Sequence, residues 1–186
     1  MAAFDPSGEL PQELDFSLVR NTFVTLFWDP AVLETATSWL GEHGYRVVTI
    51  DAGDWVEESD LHRDIAAALH FPDYYGKNLD ALNDCMRDVA WGEYGSDPSA
   101  TGFVLVLRHY DAFAVRQPRA AHVVLDIFAT QARNAALIGH RMMCLVQSDD
   151  PRLSFPVVGA TPVMWNDAEW LATKRGPHAP RSPEID

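Results

Sequence analysis

Four stretches of this chain are apolar almost without interruption: NTFVTLFW (21–28), YRVVTIDA (45–52), GFVLVLRHY (102–110) and RMMCLVQS (141–148). A strand with one face in water alternates apolar and polar residues, whereas a strand covered on both faces reads as a continuous apolar run. Segments with helical spacing lie between the runs. Such an alternation predicts an α/β fold: a small, mostly parallel sheet with helices packed on it and right-handed crossovers between strands.

The helices are marked by their ends and by their apolar spacing. Asp29 and Pro30 supply an N-cap and a first-turn proline, Leu33, Ala36 or Thr37, and Leu40 follow at helical spacing, and Gly41 and Gly44 are expected to stop the helix. Ser59 can cap a second helix whose face is Leu61, Ile65, Ala68 and Leu69, ending before Pro72. A third is expected over 78–90 with Asn78 as N-cap. A fourth covers 120–138, with Val124, Ile127, Phe128 and Ala132 at core spacing. TPVMW (161–165) reads as a short strand, and Asn166 and Glu169 have the spacing of an N-cap and its N3 partner for a last short helix. The organisation expected is one domain over 1–186: a core at about 45–148, an N-terminal βα extension at about 21–44 and a C-terminal appendix at about 155–176. The tail 177–186, PHAPRSPEID, holds three prolines and no core, and is expected to be disordered.

Charge narrows the partners. The net charge is −13, and residues 51–97 carry −9 of it, with twelve carboxylates against Arg63, Lys77 and Arg87. A field of that sign repels nucleic acid and anionic membranes and attracts basic partners, although solubility alone would account for it. No run approaches the roughly 18 apolar residues of a membrane span. The acidic start MAAFDPSGELPQELDF lacks the basic and apolar stretches of a secretory signal. Cys85 and Cys144 are too few for a disulfide framework and fit a reducing compartment as buried small side chains. The cytoplasm is the expected location.

The segment FPDYYGKNLDALNDCMRD (71–88) is the most informative. At about 100° per residue, Leu79, Leu82, Met86 and Val89 form one stripe, and Asp80, Asp84 and Asp88 fall opposite it. Asn83 and Arg87 lie on the near flank of that outward face. Like charges at i,i+4 cost a helix a few tenths of a kcal/mol, roughly, per pair. A solvated face is the plain reading of such carboxylates. The alternative is a rigid acidic strip presented to a cationic partner, its positions fixed before binding. The turn before the helix favours the alternative: Gly76 can take a positive φ, and Tyr74 and Tyr75 set two amphipathic rings beside the first carboxylates.

PDYYGKNLDALNDC (72–85) resembles the signature of the barstar family, intracellular protein inhibitors of secreted ribonucleases such as barnase. IDAGDWVEESDLHRDIAAALHFP is similar to the family's opening strand and helix, GFVLVLRHYDAF to its central strand, and HVVLDIFATQA with RMMCLVQS to its last helix and strand, so the resemblance spans roughly 45–148. It implies a small parallel sheet with helices, and a function: plugging a ribonuclease active site with an acidic helix and the loop before it. Tyr74, Asp80 and Asp84 match family positions that contact the nuclease, with Asp84 foremost, and Gly76 and Asn78 match positions that shape the loop and helix start. Tyr75, Asn83 and Asp88 complete the candidate face. This chain departs from the family prototype at Asn83 and Val89, where the prototype has tryptophan, and at Thr130, where an acidic residue of the last helix would fall. The extra βα unit, the longer loop 92–102 and the C-terminal appendix are further departures.

The expected partner is therefore a basic ribonuclease or ribonuclease-like toxin, bound one-to-one, with no nucleic acid and no membrane. The rival expectation is a barstar-fold module that binds another basic protein and no longer inhibits a nuclease. Enzymatic chemistry has little support: there is no Gly-rich phosphate loop, no G-x-S-x-G and no H-E-x-x-H. Asp80 and Asp84 could share a metal by spacing, but nothing else in the chain supports one, so no cofactor or metal is expected. His62 and His140 are expected as cap, core or surface residues.

Overall fold

The computed structural model describes residues 13–97 and 99–176; the N-terminal residues 1–12 and the tail 177–186, with the disorder expected of it, lie outside the described residues. In chain order the elements are α1 (Leu14–Val19), β1 (Val24–Phe27), α2 (Pro30–Glu42), β2 (Tyr45–Asp51), α3 (Glu58–Leu69), α4 (Leu79–Trp91), β3 (Gly102–Arg108), α5 (Tyr110–Arg116), α6 (Pro118–Leu137), β4 (Met142–Gln147) and β5 (Met164–Trp165), then a 3-10 turn at Ala172–Lys174. The five strands make one sheet in the order β2-β3-β4-β1-β5, and every neighbouring pair is parallel.

The apolar runs are continuous because both faces of the sheet are covered. Val24 and Leu26, Ile50, Phe103, Leu105 and Leu107, and Met142, Cys144 and Val146 pack on one side under α3, α4, α5 and α6. The alternate residues Phe27, Tyr45, Val104, Val106, Met143 and Leu145 pack on the other side against Leu18 of α1 and Leu33, Ala36 and Leu40 of α2. Each large apolar side chain so enclosed contributes roughly 1.5–3 kcal/mol.

The added N-terminal strand lies beside β4, with Val24 opposite Cys144 and Phe27 opposite Gln147. Its helix α2 crosses the sheet on the second face to reach β2 at the far edge. The C-terminal appendix completes this side of the molecule. β5 pairs with β1, and the buried Glu169 carboxylate accepts the backbone N–H groups of Trp28 (2.9 Å) and Asp29 (2.7 Å). Asn166 donates from Nδ2 to Leu26 O (3.1 Å) and accepts from Ala168 and Glu169 N–H. The capping pattern expected at Asn166 and Glu169 therefore forms a turn rather than a helix. Glu169 is drawn to the two N–H groups that β1 leaves open where it runs into α2.

Other local expectations are corrected. Gly41 lies inside α2, whose C-cap is His43, and Gly44 makes the turn with φ +82°. The cap of α3 is Glu57, which with Asp60 forms a capping box, and Ser59 is within the helix. The third apolar run ends at Arg108: His109 turns left-handed (φ 51°) and α5 follows, so the fourth expected helix is preceded by a separate short one and itself begins at Pro118. The helix α1 was not anticipated. It is held by Asp15, which accepts from the Tyr45 hydroxyl (2.7 Å) and from Arg141 Nη1 (3.3 Å).

Candidate functional site

The helix α4 starts where Asn78 accepts the Ala81 N–H (2.8 Å), as its N-cap position predicts, and stops at Gly92 with φ +80°. Leu82, Cys85, Met86, Val89 and Ala90 are buried against α6 and the sheet. Asp80 and Asp84 are exposed on the opposite side. The core stripe of this helix thus fixes where its carboxylates stand.

The two tyrosines of the preceding turn have different fates. Tyr74 is 80 % exposed, whereas Tyr75 is 7 % exposed and belongs to the core. The Tyr75 hydroxyl lies 2.5 Å from His62 Nδ1 on α3, and His62 Nε2 lies 3.2 Å from Glu58 Oε1. Its ring packs edge-on against Phe71. Burial pushes the Tyr75 phenol above its ordinary range, so it stays protonated as the bond requires. Tyr75 thus pins the turn to α3, and Tyr74 is the ring left facing solvent.

Gly76 is not the left-handed residue of the turn. That conformation falls on Lys77 (φ 51°). Gly76 is constrained by space instead: a Cβ there would lie 3.3 Å from both the Ala81 Cβ and the Asn78 Nδ2, and Asn78 Nδ2 also donates to the Gly76 carbonyl (3.3 Å).

The remaining candidates are tied to neighbours. Arg87 Nη1 lies 3.2 Å from Asp84 Oδ1, and Arg87 Nε lies 3.6 Å from Asp88 Oδ1. Asp88 also accepts from the Tyr94 hydroxyl (3.3 Å), and its carboxylate is only 33 % exposed. It helps to anchor the loop after α4, where Ser96 Oγ donates to Val89 O (2.8 Å). Asn83 is half-buried and accepts from Gln131 Nε2 on α6 (2.8 Å), while Asn134 Nδ2 donates to Gln131 Oε1 (3.3 Å). Val89 is buried and Thr130 is half-buried.

Gln131 and Glu58 are the supporting residues that the reading of the sequence did not single out, while His62 takes the core place among the roles expected of it. The signal for Gln131 was a polar residue set among Ile127, Phe128 and Ala132. The Asp84–Arg87 spacing of i,i+3 was equally legible as an ion pair.

A cavity of about 240 Å³ lined by Val89, Ala90, Ser96, Thr101, His140 and Arg141 lies by the C-terminal end of α4, away from Tyr74 and Asp80. Among the described residues no three His, Cys, Asp or Glu side chains stand together as a metal site, and no helix is long and apolar enough to cross a membrane. Exposed carboxylates beside one exposed tyrosine, on a helix fixed by its cap and core, can offer acceptors to a cationic surface.

The sequence is similar to that of known proteins. A protein of Bacillus subtilis (strain 168) whose name reads "Putative ribonuclease inhibitor YrdF" is 51 % identical over 41 residues, 22 % of this chain and 45 % of that protein. The chain thus spans less than half the length of that relative. The family model described as Barstar (barnase inhibitor) matches residues 45–147, from the first residue of β2 to the last of β4, more than half of the chain. The chain belongs to the barstar family.

Proposed function

We propose that this protein inhibits a basic extracellular ribonuclease of the barnase type, binding it one-to-one and covering its active site with α4 and the Tyr74–Asn78 turn. The observation that carries the reading is the exposure of Asp80 and Asp84 on the side of α4 opposite its buried stripe, with Tyr74 exposed in the turn that leads into the helix. In this reading the carboxylates stand where substrate phosphates would sit, and the enzyme's cationic side chains close on Asp84 and Asp80. Tyr75, Gly76 and Asn78 set the shape of the turn, and Asn83 and Asp88 flank the contact. The charge of −9 over residues 51–97 steers a basic enzyme towards this end of the molecule and raises the association rate. The two free, buried cysteines suit work in the cytoplasm, where a cell would need protection from a nuclease that it exports.

One observation favours a second reading, a module for another basic protein. Arg87 partly neutralises Asp84, and the positions of two prototype tryptophans are Asn83 and the buried Val89. Cleavage of RNA by barnase and a panel of other basic secreted ribonucleases, with and without the protein, separates the two. Inhibition that saturates at one equivalent and is lost in Asp84→Ala is the expected result. Undiminished cleavage across the panel would sink the inhibitor reading and leave the second.

A further inference from the structure

The outward side of α4 is not uniformly acidic. Beside the acceptor row Asp80 and Asp84 runs a donor row, Asn83 and Arg87, one helical turn apart, with Asn83 against α6. Both donors are held. The Gln131 amide occupies the Asn83 oxygen, and no acceptor for Asn83 Nδ2 is present among the described residues. The amide is thus turned so that its N–H bonds are free for a partner. The Arg87 guanidinium is half-exposed and lies within 3.2 Å of Asp84 and 3.6 Å of Asp88.

We propose that Arg87 is a specificity-determining residue of this face: it competes within the helix for Asp84, and it restricts the face to a partner that sets a carboxylate beside its cations. The inference rests on the reading of α4 as the element that plugs a ribonuclease. In the free protein the Asp84–Arg87 pair is exposed and weak, so an incoming cation displaces it readily. Docking changes the balance. Once water is expelled, the guanidinium is held next to the partner's cations, and an unpaired buried charge is costly. A partner carboxylate within reach of Arg87 and the Asn83 N–H groups removes that cost; a partner with cations alone does not. A ribonuclease active site that sets a carboxylate base among phosphate-binding cations matches this pattern of acceptors and donors.

Two probes test it. The first is tetra-arginine, a purely cationic ligand, titrated into the free protein while the amide signals of residues 78–91 are followed by NMR. Arg87→Gln should bind it about three-fold more tightly than the wild type, the scale of an exposed ion pair removed. The gain should vanish in the Asp84→Asn background. Equal affinity in the two proteins, or the same gain without Asp84, overturns the competition. The second probe is whichever ribonuclease the panel shows to be inhibited. Arg87→Glu makes the protein more negative, so a purely electrostatic plug would bind tighter; the proposal expects binding weakened about ten-fold or more, while tetra-arginine binding rises. Tighter binding to both probes refutes the carboxylate requirement. If no ribonuclease in the panel is inhibited, the nuclease reading and the carboxylate requirement fall together, and the tetra-arginine titration still decides whether Arg87 competes for Asp84.

Discussion

The Tyr75 hydroxyl and His62 Nδ1 meet 2.5 Å apart inside the core, joining the turn before α4 to the helix α3. The Glu58 carboxylate on the other side of the ring can only accept, so in the neutral imidazole Nε2 is the donor and Nδ1 takes the tyrosine proton. Adjacent tyrosines therefore separate by task. Tyr75→Phe leaves a buried nitrogen without its donor and should cost about 1–3 kcal/mol of folding stability, read as a lower urea midpoint at unchanged slope. Tyr74→Ala should leave the midpoint almost where it was, since that ring is 80 % exposed, and should weaken ribonuclease binding instead. The opposite pattern would mean that the turn is inverted relative to this description.

Asp84 and Asp80 differ in their place on the face. Asp84 lies mid-helix at the centre of the outward face, and Asp80 lies in the first turn. Asp84→Ala is expected to weaken ribonuclease binding by about 2–5 kcal/mol, the range for one member of a desolvated charge pair, with Asp80→Ala next. Raised salt should lower the association rate of the wild type more than its dissociation rate. Stopped-flow association and dissociation rates check both statements. Indifference of affinity to both substitutions would remove the acidic strip from the mechanism.

How much of this was legible depends on the range of the interaction concerned. The four apolar runs announce a sheet covered on both faces because that property is written into each run. The Asn78 cap and the outward Asp80 and Asp84 were legible for the same reason, since helix geometry is local. The position of β1 between β4 and β5 was not, because it depends on which edge is free to pair. Tyr74 and Tyr75 look alike in the sequence, and only the location of His62, thirteen residues away, decides which is buried. Gln131 reaches Asn83 across 48 residues, so the orientation of that amide could not be read from its own helix. Gly76 misled for another reason: its lack of a Cβ answers crowding by Ala81 and Asn78, while Lys77 takes the positive φ.

Glu169 ties the C-terminal appendix to the start of α2. Its carboxylate accepts from Trp28 N and Asp29 N, and also from Asn166 Nδ2, while the side chain is buried. Glu169→Ala strands two backbone donors and should cost about 1–3 kcal/mol. Hydrogen exchange should report faster opening of β1, β5 and the first turn of α2, with β2, β3 and β4 protected as before. Ribonuclease binding should be unaffected, because α4 packs against α6 in the core on the opposite face of the sheet from α2. A loss of binding equal to that of Asp84→Ala would show instead that the extension supports the α4 face directly.

Asp60 gives the protein an acid-sensitive joint at the start of α3. Its carboxylate accepts from Val56 N (3.0 Å) and Glu57 N (3.1 Å) and pairs with Arg63 Nη1 (2.7 Å), which together pull its pKa from 3.8 to about 2. A carboxyl whose pKa is depressed on folding adds stability above its unfolded value, and that stability is lost as pH falls towards the folded one. The window is therefore from about pH 4 down to about pH 2. Asp51, Asp64 and Asp97 are also held below the usual range, so the total acid response of the protein cannot be assigned to Asp60 alone. The difference between proteins isolates it. Asp60→Asn keeps an oxygen for the N–H groups but neither titrates nor pairs with Arg63. Urea unfolding at pH 6, 4, 3 and 2.5 should show the wild type more stable than the variant at pH 6, with the gap closing below pH 4. A gap that stays constant to pH 2.5 would place the joint's stability in the neutral hydrogen bonds and remove the charge from the argument.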